Sequence, residues 1–156
     1  MRHRERNVVR ALIVSPESSI LLVHIHLEDR SFWITPGGGI EDREDTHTAL
    51  QRELYEEIGR DKWVIGPSVW TRSHTFDFEG ETLTQHEIFH WVSCEWFSPP
   101  EEMPDAHENQ YFGGFRWWTA EELIASKDDF APRKLGRFFK AILNSGMPEK
   151  PINVGV

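Results

Sequence analysis

The chain opens on two apolar runs. Residues 8–14 and 20–26 are rich in β-branched side chains and are separated by Pro16-Glu17-Ser18-Ser19, so the pattern predicts two strands joined by a turn. Residues 32–35 form a shorter extended piece that ends at Pro36 and leads into a loop of three glycines. From about Thr46 to Ile58 the apolar positions take up a helical period, and Gly59 stands just past the helix end, where glycine is favoured. Residues 63–71, 74–78 and 82–97 read as extended, the last two joined by Glu79-Gly80-Glu81 as a hairpin. Residues 99–114 make a polar loop long enough to serve as a lid or binding loop.

Beyond it, residues 115–118 read as a short strand. Thr119-Ala120-Glu121-Glu122 has the form of a capping box opening a small helix over 121–125. Leu135, Phe138, Phe139, Ile142 and Leu143 recur at i, i+3, i+4, i+7 and i+8, the apolar face of an amphipathic helix. Strands outnumber helices, with one helix inserted early and two late. This predicts an α/β (α+β) fold in which helices cover both faces of a mixed β-sheet. At 156 residues the chain is one domain by length, taken here as residues 1–147 followed by an irregular C-terminal tail at 148–156.

Charge changes the picture more than composition does. Seventeen Lys and Arg against 26 Asp and Glu give a formal net charge of −9. That balance argues against stable nucleic-acid binding and against an anionic membrane surface, both of which draw affinity from basic residues. Cys94 is the single cysteine, which excludes an intrachain disulfide or a cysteine-cluster zinc site and suits a reducing, cytoplasmic compartment. The basic start at residues 1–6 imitates a signal peptide, but Arg10 interrupts the apolar run after it, so no export signal is read. No stretch approaches the roughly 18 to 20 apolar residues of a membrane span.

The candidate chemistry lies in residues 38–60, GGIEDREDTHTALQRELYEEIGR. At about 100° per residue, Leu50, Leu54 and Ile58 share one helical arc, and Glu53, Glu56 and Glu57 occupy the neighbouring one. Like charges at i, i+3 and i+4 repel by a few tenths of a kcal/mol each, and a hard divalent cation bound by carboxylate oxygens removes that cost. Arg52, four residues before Glu56, is placed to pair with it and orient the cluster. The glycines allow close backbone approach, and the Gly37 carbonyl is a candidate further ligand. Glu44 has two readings: a member of the acidic constellation, or a stabiliser of the first helical turn through the macrodipole.

The spacing of these residues closely resembles the Nudix box. Five residues separate Gly38 from Glu44, seven separate Glu44 from Arg52, and Arg52-Glu53-Leu54-Tyr55-Glu56-Glu57-Ile58-Gly59 follows without a gap. A chance match to eight fixed positions is on the order of one in ten million. Only Arg60 departs, standing where an aliphatic residue is usual. The resemblance implies the α/β/α sandwich of Nudix hydrolases and metal-dependent cleavage of a phosphoanhydride in a nucleoside diphosphate linked to another moiety. It implies Mg²⁺ or Mn²⁺ held by Glu53, Glu56 and Glu57 with Gly37, and Glu53 or Glu56 as general base. Glu108, in the long loop, is the alternative base. Gly38, Glu44, Arg52 and Gly59 are then structural or orienting. A non-catalytic nucleotide-sensing Nudix module is the alternative function, although such modules commonly lose box carboxylates. An isopentenyl-diphosphate isomerase-like reading fits poorly, because Cys94 lies downstream of the box.

No substrate-binding residue is assigned. Trp33, Trp70, Tyr111, Phe112 and Trp117 are candidates to stack on a base, with the core as the commoner place for each. Arg30, Arg72 and Arg116 are candidate phosphate clamps, with the surface as the commoner place. His24 and His26 are spaced as same-face strand neighbours but lack acidic or cysteine partners for a zinc site. Downstream marks of particular substrate groups are missing, so the partner is a small-molecule nucleotide diphosphate derivative of open identity. The chain is compatible with a monomer or a homodimer.

Overall fold

The computed structural model describes residues 2–104 and 106–156, with the backbone alone at 106–108. Its elements in chain order are β1 (Arg2–Val14), β2 (Ser19–His26), β3 (Ser31–Ile34), β4 (Gly37–Gly39), α1 (Thr46–Ile58), β5 (Ile65–Phe78) and β6 (Glu81–Ser93). A short 3-10 helix (Ala106–Tyr111), β7 (Phe112–Thr119), α2 (Ala120–Ala125), β8 (Phe130–Ala131), α3 (Leu135–Ser145) and β9 (Ile152–Asn153) follow.

The strands form one mixed sheet in the order β8-β3-β2-β1-β6-β5-β9, with β4 also on β1 and β7 also on β2. β1 runs parallel to β6 along its whole length, while β5 and β6 form an antiparallel hairpin. The hairpin turns through Glu79 and Gly80, both at positive φ, as a two-residue loop requires.

β1 explains why its sequence reads as a continuous apolar run: both of its faces are buried. Val9, Ala11 and Ile13 point to one side and pack against Leu50, Leu54 and Ile58 of α1. Leu12 and Val14 point to the other, into a core with Leu123 of α2 and Leu135, Phe139 and Ile142 of α3. The result is the expected sandwich, with α1 on one face of the sheet and α2 and α3 on the other. Each fully buried Leu or Phe in these layers contributes about 2 kcal/mol of transfer free energy.

Three expectations need correction. The triple glycine is a strand, not a loop: Gly37, Gly38 and Gly39 pair with Arg10, Val9 and Val8. The tail at 148–156 is not irregular throughout, since β9 pairs with β5 and Val154 is buried in the α3-side core. The extended segments expected at 63–71 and 74–78 are one bulged strand that starts at Ile65. The capping box is formed as expected, Thr119 accepting from the Glu122 N–H while Glu122 accepts from the Thr119 N–H. Among the described residues no helix is long and apolar enough to cross a membrane.

Candidate active site

Helix α1 begins and ends where the pattern placed it, and the caps show why. Asp45, extended in backbone, accepts from the Thr48 N–H at 2.7 Å. Gly59 closes the helix in the left-handed region at φ 82°. Arg60, the departure from the motif, lies with its guanidinium 4.4 Å from the Phe97 ring centroid, and its carbonyl accepts from Trp63 Nε1 at 2.8 Å. An aromatic neighbour thus seats the helix end that an aliphatic residue usually seats.

Arg52 is the hub of the acidic cluster. Its Nε and Nη2 grip Glu44 as a fork, at 2.7 and 2.9 Å, and Nη2 also donates to the Gly39 carbonyl at 2.9 Å. Its Nη1 donates to Glu53 at 3.1 Å and to Glu56 at 3.3 Å. The pairing with Glu56 foreseen from i, i+4 spacing is therefore the weaker contact, and Glu44 is the main partner. Hydrogen bonds from Arg52 and from the Glu41 N–H hold the Glu44 carboxyl down at about 2. The N-cap is Asp45, and Glu44 is gripped by Arg52, whose Nη2 also holds the Gly39 carbonyl of the glycine segment.

Two of the three helix carboxylates face a cavity of about 880 Å³. Glu53 and Glu57 line it with Gly37 and Gly38 and are themselves buried, at 8% and 5% exposure. The Gly37 N–H donates to both Glu57 oxygens at 3.2 and 3.3 Å, whereas its carbonyl accepts from Arg10 Nη1 at 3.4 Å. A Cβ on Gly38 would fall 2.4 Å from the Glu53 carboxylate, so the glycine is what admits that carboxylate to the wall. Glu56 is not among the lining residues. Glu108 falls outside the described side chains.

The cavity floor brings Arg72, a candidate from the sequence, together with Arg10, Glu87 and His74, which the sequence did not single out. Arg10 of β1, Glu87 of β6 and Arg72 of β5 form a buried row: Arg10 Nε donates to Glu87 Oε2 at 2.7 Å, and Arg72 Nη1 donates to Glu87 Oε1. Burial works to raise the Glu87 carboxyl, but the two guanidinium groups outweigh it and hold the carboxyl below its ordinary value. Arg72 is thus at the cavity and not on the surface where it was expected. His74 stands two residues along the same strand and lines the cavity too; burial first, then the Arg72 charge, lowers its pKa. An isolated charge at a core-parity position of a strand was the available signal for Arg10 and Glu87.

The remaining candidates separate cleanly. Trp33 and Trp70 are core residues, and Trp117 packs against the α1-side core. Tyr111 lines the cavity, its hydroxyl donating to Glu79 at 2.7 Å. Arg30 lines the cavity as well, whereas Arg116 lies over Trp118 and pairs with Glu122 at the surface. His24 stacks on Trp33 at 4.3 Å.

The NUDIX domain family model matches residues 4–140, and the chain belongs to that family. As a member it is an enzyme of the pyrophosphohydrolase class that the motif implied. It is 27% identical over 142 residues to the nucleoside triphosphatase NudI of Escherichia coli O81 (strain ED1a), spanning 84% of this chain and 94% of that protein. Among solved structures, the E. coli ORF135 protein is 25% identical with a TM-score of 0.62, covering 95% of this chain and 96% of that one. The MutT protein from Methanosarcina mazei Go1, at 17% identity and a TM-score of 0.63, covers 96% and 99% and shares the fold.

Proposed function

We propose that the protein hydrolyses a phosphoanhydride bond in a nucleoside diphosphate derivative with the help of a divalent cation. The observation that carries this reading is the opening of Glu53 and Glu57, with the Gly37-Gly38 backbone, onto one cavity whose floor is cationic. The name of the NudI relatives puts nucleoside triphosphates among the first compounds to test. The lone cysteine supports a reducing, cytoplasmic setting.

Among the described residues no three acidic, His or Cys side chains are already grouped around one point. Arg52 and the Gly37 N–H engage the carboxylates instead. The residues still fit a hard cation by chemistry, since every donor is oxygen and the missing Cβ at Gly38 leaves the Glu53 carboxylate its place. Glu53, Glu56 and Glu57 would hold Mg²⁺ or Mn²⁺, with the Gly37 carbonyl as a further ligand. Such an ion supplies charge neutralisation at the diphosphate oxygens and lowers the pKa of water. The chain's own part begins with Arg52, which fixes the directions of Glu53 and Glu56. Glu53 or Glu56 takes the proton of the attacking water, with Glu108 the alternative base. Water adds to one phosphorus, the bridging P–O bond breaks, and two phosphate products leave.

The test is a panel of nucleoside triphosphates, dinucleoside polyphosphates, ADP-ribose and nucleotide sugars with Mg²⁺ or Mn²⁺, products read by chromatography. Glu56→Gln and Glu57→Gln are each expected to lower turnover at least about 100-fold with the fold retained by circular dichroism. Near-wild-type rates in both overturn the ligand assignment. Binding of a panel compound without turnover of any would favour the nucleotide-sensing alternative.

A further inference from the structure

At the cavity floor Arg10 and Arg72 share the one carboxylate of Glu87. Side-chain exposure in the buried row is 12% for Arg10, 7% for Arg72 and 3% for Glu87. One carboxylate answers two guanidinium groups, so the row keeps one net positive charge away from bulk water. Arg10 spreads its share over backbone, Nη1 donating to the carbonyls of Thr35 at 3.3 Å and Gly37 at 3.4 Å. In Arg72, Nη1 is on Glu87 and Nε is buried without a hydrogen-bond partner among the described residues. His74 Nδ1, two residues along on the same strand face, is also buried without one. Orphaned buried groups are rare in folded proteins, and each is costly. Here two adjoin one another, and both residues line the cavity that holds Glu53 and Glu57. Holding Glu87 in place calls for one guanidinium, and Arg10 already provides it.

We propose that Arg72 recognises a non-reacting phosphate group of the substrate, with Glu87 and Arg10 as its positioning residues. This rests on the hydrolase reading above and deepens it. The substrate class is then an organic di- or polyphosphate whose phosphate chain reaches from the α1 carboxylates to the floor. The planar fork of arginine suits two phosphate oxygens at once. Arg10 stands between the two regions, bonded both to Glu87 and to the Gly37 carbonyl beside Glu57, so the anion held by Arg72 adjoins the bond that is cut.

The experiment is isothermal titration of inorganic pyrophosphate into the full chain at low salt with divalent ions chelated, so that the readout passes through neither metal nor turnover. Wild type is expected to bind pyrophosphate, Arg72→Gln to bind it at least about tenfold more weakly, and Arg72→Lys to fall between them. Arg116→Gln, at a surface arginine, is expected to match wild type. Where Arg72→Gln fails to fold by thermal melting, Arg72→Lys decides: unchanged affinity in that variant overturns the proposal. No pyrophosphate binding by wild type, or equal binding by folded Arg72→Gln, also overturns it. Turnover on the substrate panel without Arg72-dependent binding leaves the hydrolase reading standing and removes this one. Arg72-dependent binding with no turnover on the panel counts against the hydrolase reading and upholds Arg72 as a phosphate site, of a bound nucleotide and no longer of a substrate.

Discussion

Gly37 and Gly38 are neighbours in sequence, but an added methyl group meets a different kind of atom at each. A Cβ on Gly38 falls 2.4 Å from the Glu53 carboxylate, and ordinary contact begins at 3.4 Å, so the carboxylate must retreat by about 1 Å. It is the end of a flexible side chain, and the stability cost is small, about 1 kcal/mol. A displacement of about 1 Å in a catalytic group, in contrast, costs on the order of 100-fold in rate. At Gly37 the Cβ falls 2.1 Å from the Val9 carbonyl oxygen and 2.8 Å from Arg10 Cα, at a φ of +143°. Those atoms are the backbone of the central strand and have no rotamer to move to. Overlap and backbone strain together cost about 3 kcal/mol or more, a fall of roughly 6–12 °C in melting temperature for a chain of this size. The assay pairs thermal unfolding with steady-state hydrolysis of whichever panel compound the wild type turns over. Gly38→Ala is expected to melt near wild type while losing most of its turnover, and Gly37→Ala to lose stability first. Wild-type kinetics in folded Gly38→Ala would refute the role given to the position of Glu53, and wild-type stability in Gly37→Ala would refute the tight approach of β4 to β1.

Three further outcomes are expected. The folded-state pKa of Glu44 is depressed to about 2, so its contribution to stability is complete above about pH 4.5 and is lost as the pH falls toward 2. Urea denaturation at several acidic pH values should therefore show a shallower decline in Glu44→Gln than in wild type, and parallel curves would contradict the Arg52 linkage. Arg60→Leu, which restores an aliphatic residue, should change stability by no more than about 1 kcal/mol and leave turnover intact; a large loss of activity would give Arg60 a different role. Val154→Ala should cost about 1–2 kcal/mol in chemical denaturation, because this tail residue is buried in the α3-side core; an unchanged midpoint would mean that the tail does not contribute.

What the sequence revealed follows the range of the forces involved. Helix α1 was legible to the residue because its period, its apolar arc and Gly59 are all local. The capping box at Thr119 was legible for the same reason. The Arg52 fork to Glu44 was not foreseen, because Glu44 stands outside the helix, where i, i+4 rules do not reach, yet the fork spans only eight positions. Arg10 and Glu87 are 77 positions apart, and a charge at a core-parity position shows that a partner is needed without showing which. Only the pairing of β1 with β6 turns two apparent interruptions into one ion pair. Likewise β8 and β9, two residues each, are too short to carry a pattern and exist because longer strands offer them an edge.

The same β1–β6 pairing governs how the chain must fold. Every β1 residue meets a partner about 80 positions later, and β2 through β5 and α1 all lie in between. The centre of the sheet therefore cannot close from local contacts, a topology that places folding among the slower small domains, in milliseconds to seconds. Until β6 is synthesised, the apolar stretch of β1 has no partner on that side and is open to association with other chains. Arg2, Arg4 and Arg6, exposed in the finished fold, place like charges immediately ahead of that stretch, where flanking charge suppresses such association.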